Sequence, residues 1–221
     1  MSNPGYIAIK EFCVNSPKTD PKGIFLMAHG AGKGMASPFL EAIANGVVDA
    51  GVRVVRFHFP YMEDMLRTGI QKKPNGGRIL RQTFAELIEH CVEHEKMSRN
   101  KIIIGGKSMG ARVASMIADE QKVAGVICLS YPFHPPKKPE RIRIDHLLNI
   151  QTPTLICQGD RNPNGKRKSL EELRLSKSIQ FHWLEDGDNN FKPRKKSGRT
   201  LDDNMTEAII SCNAFIKGLL E

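Results

Sequence analysis

The sequence predicts an α/β domain of three layers, a mostly parallel sheet with helices on both faces. Two observations carry this expectation. Short apolar, β-branched runs alternate with helically spaced segments along the chain, and the strand-like runs are apolar throughout rather than every second residue, the pattern of strands buried on both faces. At 221 residues the chain suits one domain and one core, and no internal repeat or domain-sized linker divides residues 1–221.

In chain order, residues 7–14 (Ile7 to Val14) are expected as an extra antiparallel edge strand and Ile24 to His29 as the first central strand. Ser37 to Ala50 follows as a helix, with Ser37 as its cap and Pro38 in its first turn. Val52 to Phe59 is the next strand and Arg78 to Lys96 the next helix. The strand Lys101 to Gly105 runs into the helix Met109 to Asp119. Val123 to Tyr131 is a strand, Arg141 to Asn149 a helix, and Thr154 to Gln158 and Ile179 to Leu184 are strands. Leu201 to Leu220 closes the chain as a helix.

Composition narrows the function. Hydrophobic residues make up 40%, and the longest uniformly apolar stretches, such as Val123 to Leu129, are far short of a membrane span. The N-terminal residues lack a basic-then-apolar signal, and the five cysteines are an odd number without a CxxC pair, so a soluble, cytoplasmic protein with reduced thiols is expected. The net charge of +9 permits anionic partners but names none. The basic tract Lys192 to Arg199 is expected to put cations near the mouth of any pocket at that sheet edge. No aromatic residues interleave the charge runs for base stacking, so nucleic acid is not the expected partner.

In a parallel sheet, ligands sit beyond the carboxyl ends of the strands. The turn Gly106-Lys107-Ser108-Met109-Gly110 leaves Ile102-Ile103-Ile104 and enters a helix. G-x-S-x-G in that context is a nucleophile elbow: the tight turn excludes side chains at both glycines and presents the serine hydroxyl beside backbone N–H groups. A phosphate-binding P-loop would need a glycine five residues before Gly106, where Lys101 stands. His29-Gly30-Ala31-Gly32 follows the first central strand and suits the other half of an oxyanion hole, with the N–H groups of Ala31 and Met109 as donors. His90 and His94 have helical metal spacing but no HExxH around them, and read as a solvated face. No metal and no cofactor is expected.

The stretches AHGAGKGMASPF, VVRFHFPYM, GGKSMGARVAS, SYPFHPPKKPE, PTLICQGD and HWLEDGD followed by FKPRKKSGRT resemble the α/β-hydrolases. Within that fold the resemblance is to the small cap-less group related to dienelactone hydrolase, which includes the testis-expressed 30 and NSL-complex subunit 3 proteins. It spans nearly the whole chain and implies no separate cap domain, a small ester or acyl substrate, and a Ser, Asp, His triad in chain order; the basic loops allow that substrate to be anionic. Ser108 takes the nucleophile position, Asn162 the acid position and Asn189 the histidine position. An amide cannot take a proton from serine near neutral pH, so weak or lost activity is expected; the alternative is a non-catalytic protein that uses the degenerate pocket and basic loops to bind an anionic ligand or a protein partner. His134, Asp160 and Asp188 are the candidate substitutes; His29 and His58 read as structural.

Overall fold

The computed structural model describes residues 11–221. A seven-stranded sheet runs in the order β1-β3-β2-β4-β5-β6-β7. Its strands are β1 (Phe12–Asn15), β2 (Gly23–Ala28), β3 (Val52–Phe57), β4 (Ile102–Lys107), β5 (Gly125–Leu129), β6 (Thr154–Gly159) and β7 (Ile179–Leu184). Only β1 is antiparallel to its neighbour, pairing Phe12 with Phe57 and Asn15 with Val54. The expected edge strand is therefore present from Phe12 onward, and residues 7–10 lie outside the described residues.

Side-chain alternation builds two cores. On β2, Ile24, Leu26 and Ala28 face one side while Phe25 and Met27 face the other, all fully buried. The first side is covered by α3 (Gly77–Glu93) and α4 (Met109–Gln121), the second by α1 (Pro38–Val47) and α6 (Leu201–Leu220). Helix α1 starts at Pro38 and buries Leu40, Ile43, Ala44 and Val47; Ser37 stands at its N-cap, but its side chain makes no capping bond. Helix α6 has a complete capping box, in which Asp203 N–H donates to Thr200 Oγ1 at 3.1 Å and Thr200 N–H to Asp203 Oδ2 at 2.7 Å.

Two expectations are corrected. Residues 141–149 form no helix beyond the 3-10 turn Asp145–Leu148, because the backbone there is committed elsewhere. Arg143 N–H donates to Phe133 O at 2.8 Å, and the Arg143 carbonyl accepts from the Tyr131 hydroxyl at 3.0 Å. The strand expected to reach Phe59 stops at Phe57, where Phe59 N–H turns to His29 Nε2 at 3.1 Å. Pro60 then opens α2 (Pro60–Thr68), which Gly69 ends in a left-handed conformation, φ 70°. A short helix, α5 (Arg167–Leu170), follows β6.

Candidate active site

The turn from β4 into α4 has the geometry its glycines require. Ser108 sits at φ 50°, ψ −109°, a conformation that a non-glycine residue adopts only under strain. Its N–H donates to Leu129 O at 2.9 Å and its carbonyl accepts from Arg112 N–H at 3.0 Å, so neighbours on both sides hold it there. A Cβ on Gly106, at φ +144°, would lie 2.1 Å from Ala28 O, and one on Gly110 would lie 2.7 Å from the same oxygen. Met109 is the first residue of α4, so its N–H belongs to the turn that has no intrahelical acceptor.

Ser108 lines a cleft of about 570 Å³ together with Gly30, Ala31, Lys33, Lys107 and Asn189. Phe39 and Met205 supply part of its apolar wall. Ala31 lines the same cleft as Ser108, and its peptide is anchored. His29 Nδ1 lies 2.7 Å from Gly30 O, the carbonyl of the peptide that carries the Ala31 N–H. The Tyr61 hydroxyl donates to Ala31 O at 2.9 Å, and burial pushes its pKa up to about 12, which keeps the proton on.

His29 is occupied on both nitrogens. Because Nε2 accepts from Phe59 N–H, Nδ1 must carry the proton that goes to Gly30 O; the tautomer follows from its partners. Burial pulls the imidazole down to about 4. Its part is to orient the turn, as is fitting for a structural histidine. His58 packs edge-on against it, 5.6 Å between ring centroids, and lies outside the cleft.

The two asparagines stand in different surroundings. Asn189 is exposed on the cleft wall, whereas Asn162 is 1% exposed. Asn162 Oδ1 accepts from Asn164 N–H at 2.9 Å, which fixes the amide so that Nδ2 donates to Ser130 Oγ at 3.0 Å. Ser130 Oγ donates onward to the Asn189 carbonyl at 2.9 Å, and Lys107 Nζ donates to the same oxygen at 2.7 Å. Asn162 and the Asn189 main chain are thus connected through Ser130.

The candidate substitutes fall elsewhere. His134 is half-buried with Nδ1 3.0 Å from Pro135 O, and does not line the cleft. Asp188 Oδ1 accepts from Asn190 N–H at 2.7 Å and Lys192 N–H at 3.1 Å, closing its own turn. Asp160 follows β6, also outside the cleft lining, with a buried Oδ1 that has no hydrogen-bond partner among the described residues. Among the described residues no histidine lines the cleft. His90 and His94 are both exposed, their rings tilted at 38° with 4.8 Å between centroids, and the described residues hold no cluster of three metal-ligating side chains.

The basic tract is used differently from the expectation. Arg194 is ion-paired with Asp186, its guanidinium Nε 2.9 Å from Oδ1, and its backbone N–H donates to Oδ2 at 2.6 Å; these bonds hold the Asp186 carboxyl at about 2. Arg199 binds Glu207 at 2.6 Å and Asn204 Oδ1 at 3.0 Å. These arginines brace the loop after β7, and the cations lining the cleft are Lys33 and Lys107. Lys107, Ser130 and Tyr61 are the residues that sequence reasoning missed. Lys107 was in view as part of GKSMG, but its contact with Phe39, whose ring centroid lies 3.7 Å from Nζ, depends on a distant segment.

The model for the alpha/beta hydrolase domain matches residues 21–217. Among solved structures, an α/β serine hydrolase homologue from Coxiella burnetii is 18% identical with TM-score 0.69, covering 94% of this chain and 99% of its own. A lidless α/β serine hydrolase from Xanthomonas campestris is 18% identical with TM-score 0.64, covering 89% and 85%. A dienelactone hydrolase from Anabaena variabilis is 20% identical with TM-score 0.65, covering 90% and 88%. These likenesses establish the fold, and the family match establishes membership: the chain belongs to the α/β-hydrolase domain family.

Proposed function

We propose that this chain is a serine-hydrolase-fold protein that takes a small ester or acyl compound against Ser108, with turnover reduced or lost because amides stand at Asn162 and Asn189. The Ala31 and Met109 N–H groups are the donors for the substrate carbonyl in this reading, and the protein is placed in the cytoplasm, in the cap-less group that includes the testis-expressed 30 and NSL-complex subunit 3 proteins. The observation that carries it is the buried path from Asn162 Nδ2 through Ser130 Oγ to the Asn189 carbonyl. It runs donor to acceptor in the direction that an amide at position 162 requires, and it ends on main chain, so it polarises no base toward Ser108. Removing the acid alone can cost ~10⁴-fold in such a triad, and losing the base leaves only oxyanion and binding effects.

The test is hydrolysis of short p-nitrophenyl esters with fluorophosphonate labelling, comparing the parent with Asn162→Asp plus Asn189→His and with Ser108→Ala as blank. The parent should stay within ~10-fold of the blank while the double variant gains ~10²- to 10⁴-fold. A parent as active as the double variant would overturn the reading. The alternative, a non-catalytic protein that binds an anionic ligand, draws its support from Lys33 and Lys107 in the cleft. It would be favoured if the double variant also fails to turn over while the parent binds butyrate.

A further inference from the structure

Three asparagine–glycine pairs occur in the chain, at 45–46, 75–76 and 164–165, and the fold treats them differently. A glycine has no side chain to shield its backbone nitrogen, so that nitrogen can close a ring on the side-chain amide before it. Gly46 lies inside α1, where the helical ladder engages its N–H. Gly165 is buried and its N–H donates to Asn162 O at 3.1 Å. Gly76 is the N-cap of α3, a position whose N–H the helix leaves unused, and that N–H has no hydrogen bond among the described residues. A Cβ added there would meet nothing within 4 Å, so the residue is uncrowded.

The Asn75 side chain presents an activated carbonyl to this free nitrogen. Its Oδ1 accepts from Tyr61 N–H at 2.8 Å, a donor in the first turn of α2 for which no intrahelical carbonyl competes. A donor on that oxygen makes Cγ more electrophilic and stabilises the negative charge that builds as a nucleophile adds. Nδ2, the nitrogen that must leave, has no hydrogen bond among the described residues.

We propose that Asn75 is a site of self-modification, where attack by the Gly76 nitrogen converts the amide to aspartate or isoaspartate. The Gly76 nitrogen gives its proton to hydroxide and bonds to Cγ, closing a succinimide, while Nδ2 takes up a proton and leaves as ammonia. Water then adds to one ring carbonyl and that C–N bond breaks. Opening on the side-chain side gives aspartate; opening on the main-chain side runs the backbone through the side chain as isoaspartate. One water is consumed and one ammonia released, with no oxidant or reductant.

Tyr61 connects this position to the cleft, because its N–H holds Asn75 while its hydroxyl holds Ala31 O at 2.9 Å. Aspartate keeps the acceptor and adds a negative charge at the start of α2, where it is favoured. Isoaspartate lengthens the backbone by one methylene and displaces that acceptor. Ser108 takes no part, so the proposal stands or falls apart from the hydrolase reading.

The experiment incubates the intact chain in mildly alkaline buffer, folded and in guanidinium chloride, and follows amide loss at 45, 75 and 164 by peptide mass spectrometry. Asn75 should react at least as fast folded as unfolded, whereas Asn45 and Asn164 should be at least ~10-fold slower in the folded chain. Gly76→Ala, which the open space accommodates, should slow Asn75 several-fold and keep the cooperative melt. Protection of Asn75 by folding to the same extent as Asn164, or an unchanged rate in Gly76→Ala, would overturn the proposal.

Discussion

The side-chain amide of Asn162 donates to the hydroxyl of Ser130 at 3.0 Å, and both residues are buried. The direction of that bond is fixed at one end by Asn164 N–H and used at the other, where Ser130 donates to the Asn189 carbonyl. A carboxylate at position 162 would offer only acceptors to Ser130, which would then turn its proton inward and release Asn189. Asn162, Ser130 and the Asn189 carbonyl therefore form a satisfied hydrogen-bond network.

Ser130→Ala removes the middle of this network and leaves the Asn162 amide buried without an acceptor. The expected cost is ~1 to 3 kcal/mol in urea unfolding, with the slope of the transition unchanged. Asn162→Asp alone should also destabilise at neutral pH, by a smaller amount, since Asn164 N–H and a reoriented Ser130 hydroxyl would still serve the carboxylate. If both variants match the parent in midpoint, the network contributes nothing to folding and its directionality carries no argument.

Much of this arrangement was legible in the residues. Isoleucines 102 to 104 announce a strand buried on both faces, and the glycines at 106 and 110 announce the turn, because close approach to Ala28 O leaves no other residue a place. The rest depends on contacts between distant segments. Residues 141–149 have helical spacing, yet Tyr131 and Phe133 claim the Arg143 peptide groups. Pro60 and Gly69 bracket α2 with ordinary start and stop signals, but the apolar run of β3 concealed where the strand ended. Ser130 belongs to no motif; its role arises because its left-handed backbone, φ 62°, turns at the end of β5 toward Asn162 and Asn189. The charges of 192–199 were plain, whereas their pairing with Asp186 and Glu207 required the loop to fold back first.

That folded-back loop has an acid signature. The Arg194 guanidinium bonded to Asp186 lowers its carboxyl from an ordinary 3.8 to about 2, so the unfolded chain binds the proton more readily than the folded one. The stabilising contribution is complete above about pH 4 and is lost as pH falls through 2. Arg194→Met should reduce this part of the acid dependence, with Arg161 and the backbone N–H of residue 194 still holding Asp186, and speed amide exchange in residues 186–194, the segment that carries Asn189 to the cleft wall. Unchanged exchange in that segment would mean the ion pair does not brace the loop.

A second acid effect comes from His29. Its folded pKa of about 4 lies below the ordinary 6.5 because burial penalises the imidazolium. At pH values between the two, the unfolded chain takes up a proton that the folded chain refuses. Stability is therefore fully present above 6.5 and falls as pH drops toward 4, by an amount on the order of 2 to 3 kcal/mol for a group this deeply placed. Burial lowers His58 and His146 as well, so some slope remains without His29. His29→Asn keeps a donor near Gly30 O but loses the acceptor for Phe59 N–H. It should cost ~1 to 3 kcal/mol at pH 8 and flatten the stability curve between pH 6.5 and 4, measured by denaturant unfolding at each pH. The same substitution tests the turn that presents Ala31: fluorophosphonate labelling of Ser108, if it occurs in the parent, should slow in His29→Asn at pH 8, where the fold is intact. A curve as steep as the parent's would show that burial of His29 does not set the acid slope, and no cost at pH 8 would show that the bond to Phe59 is dispensable.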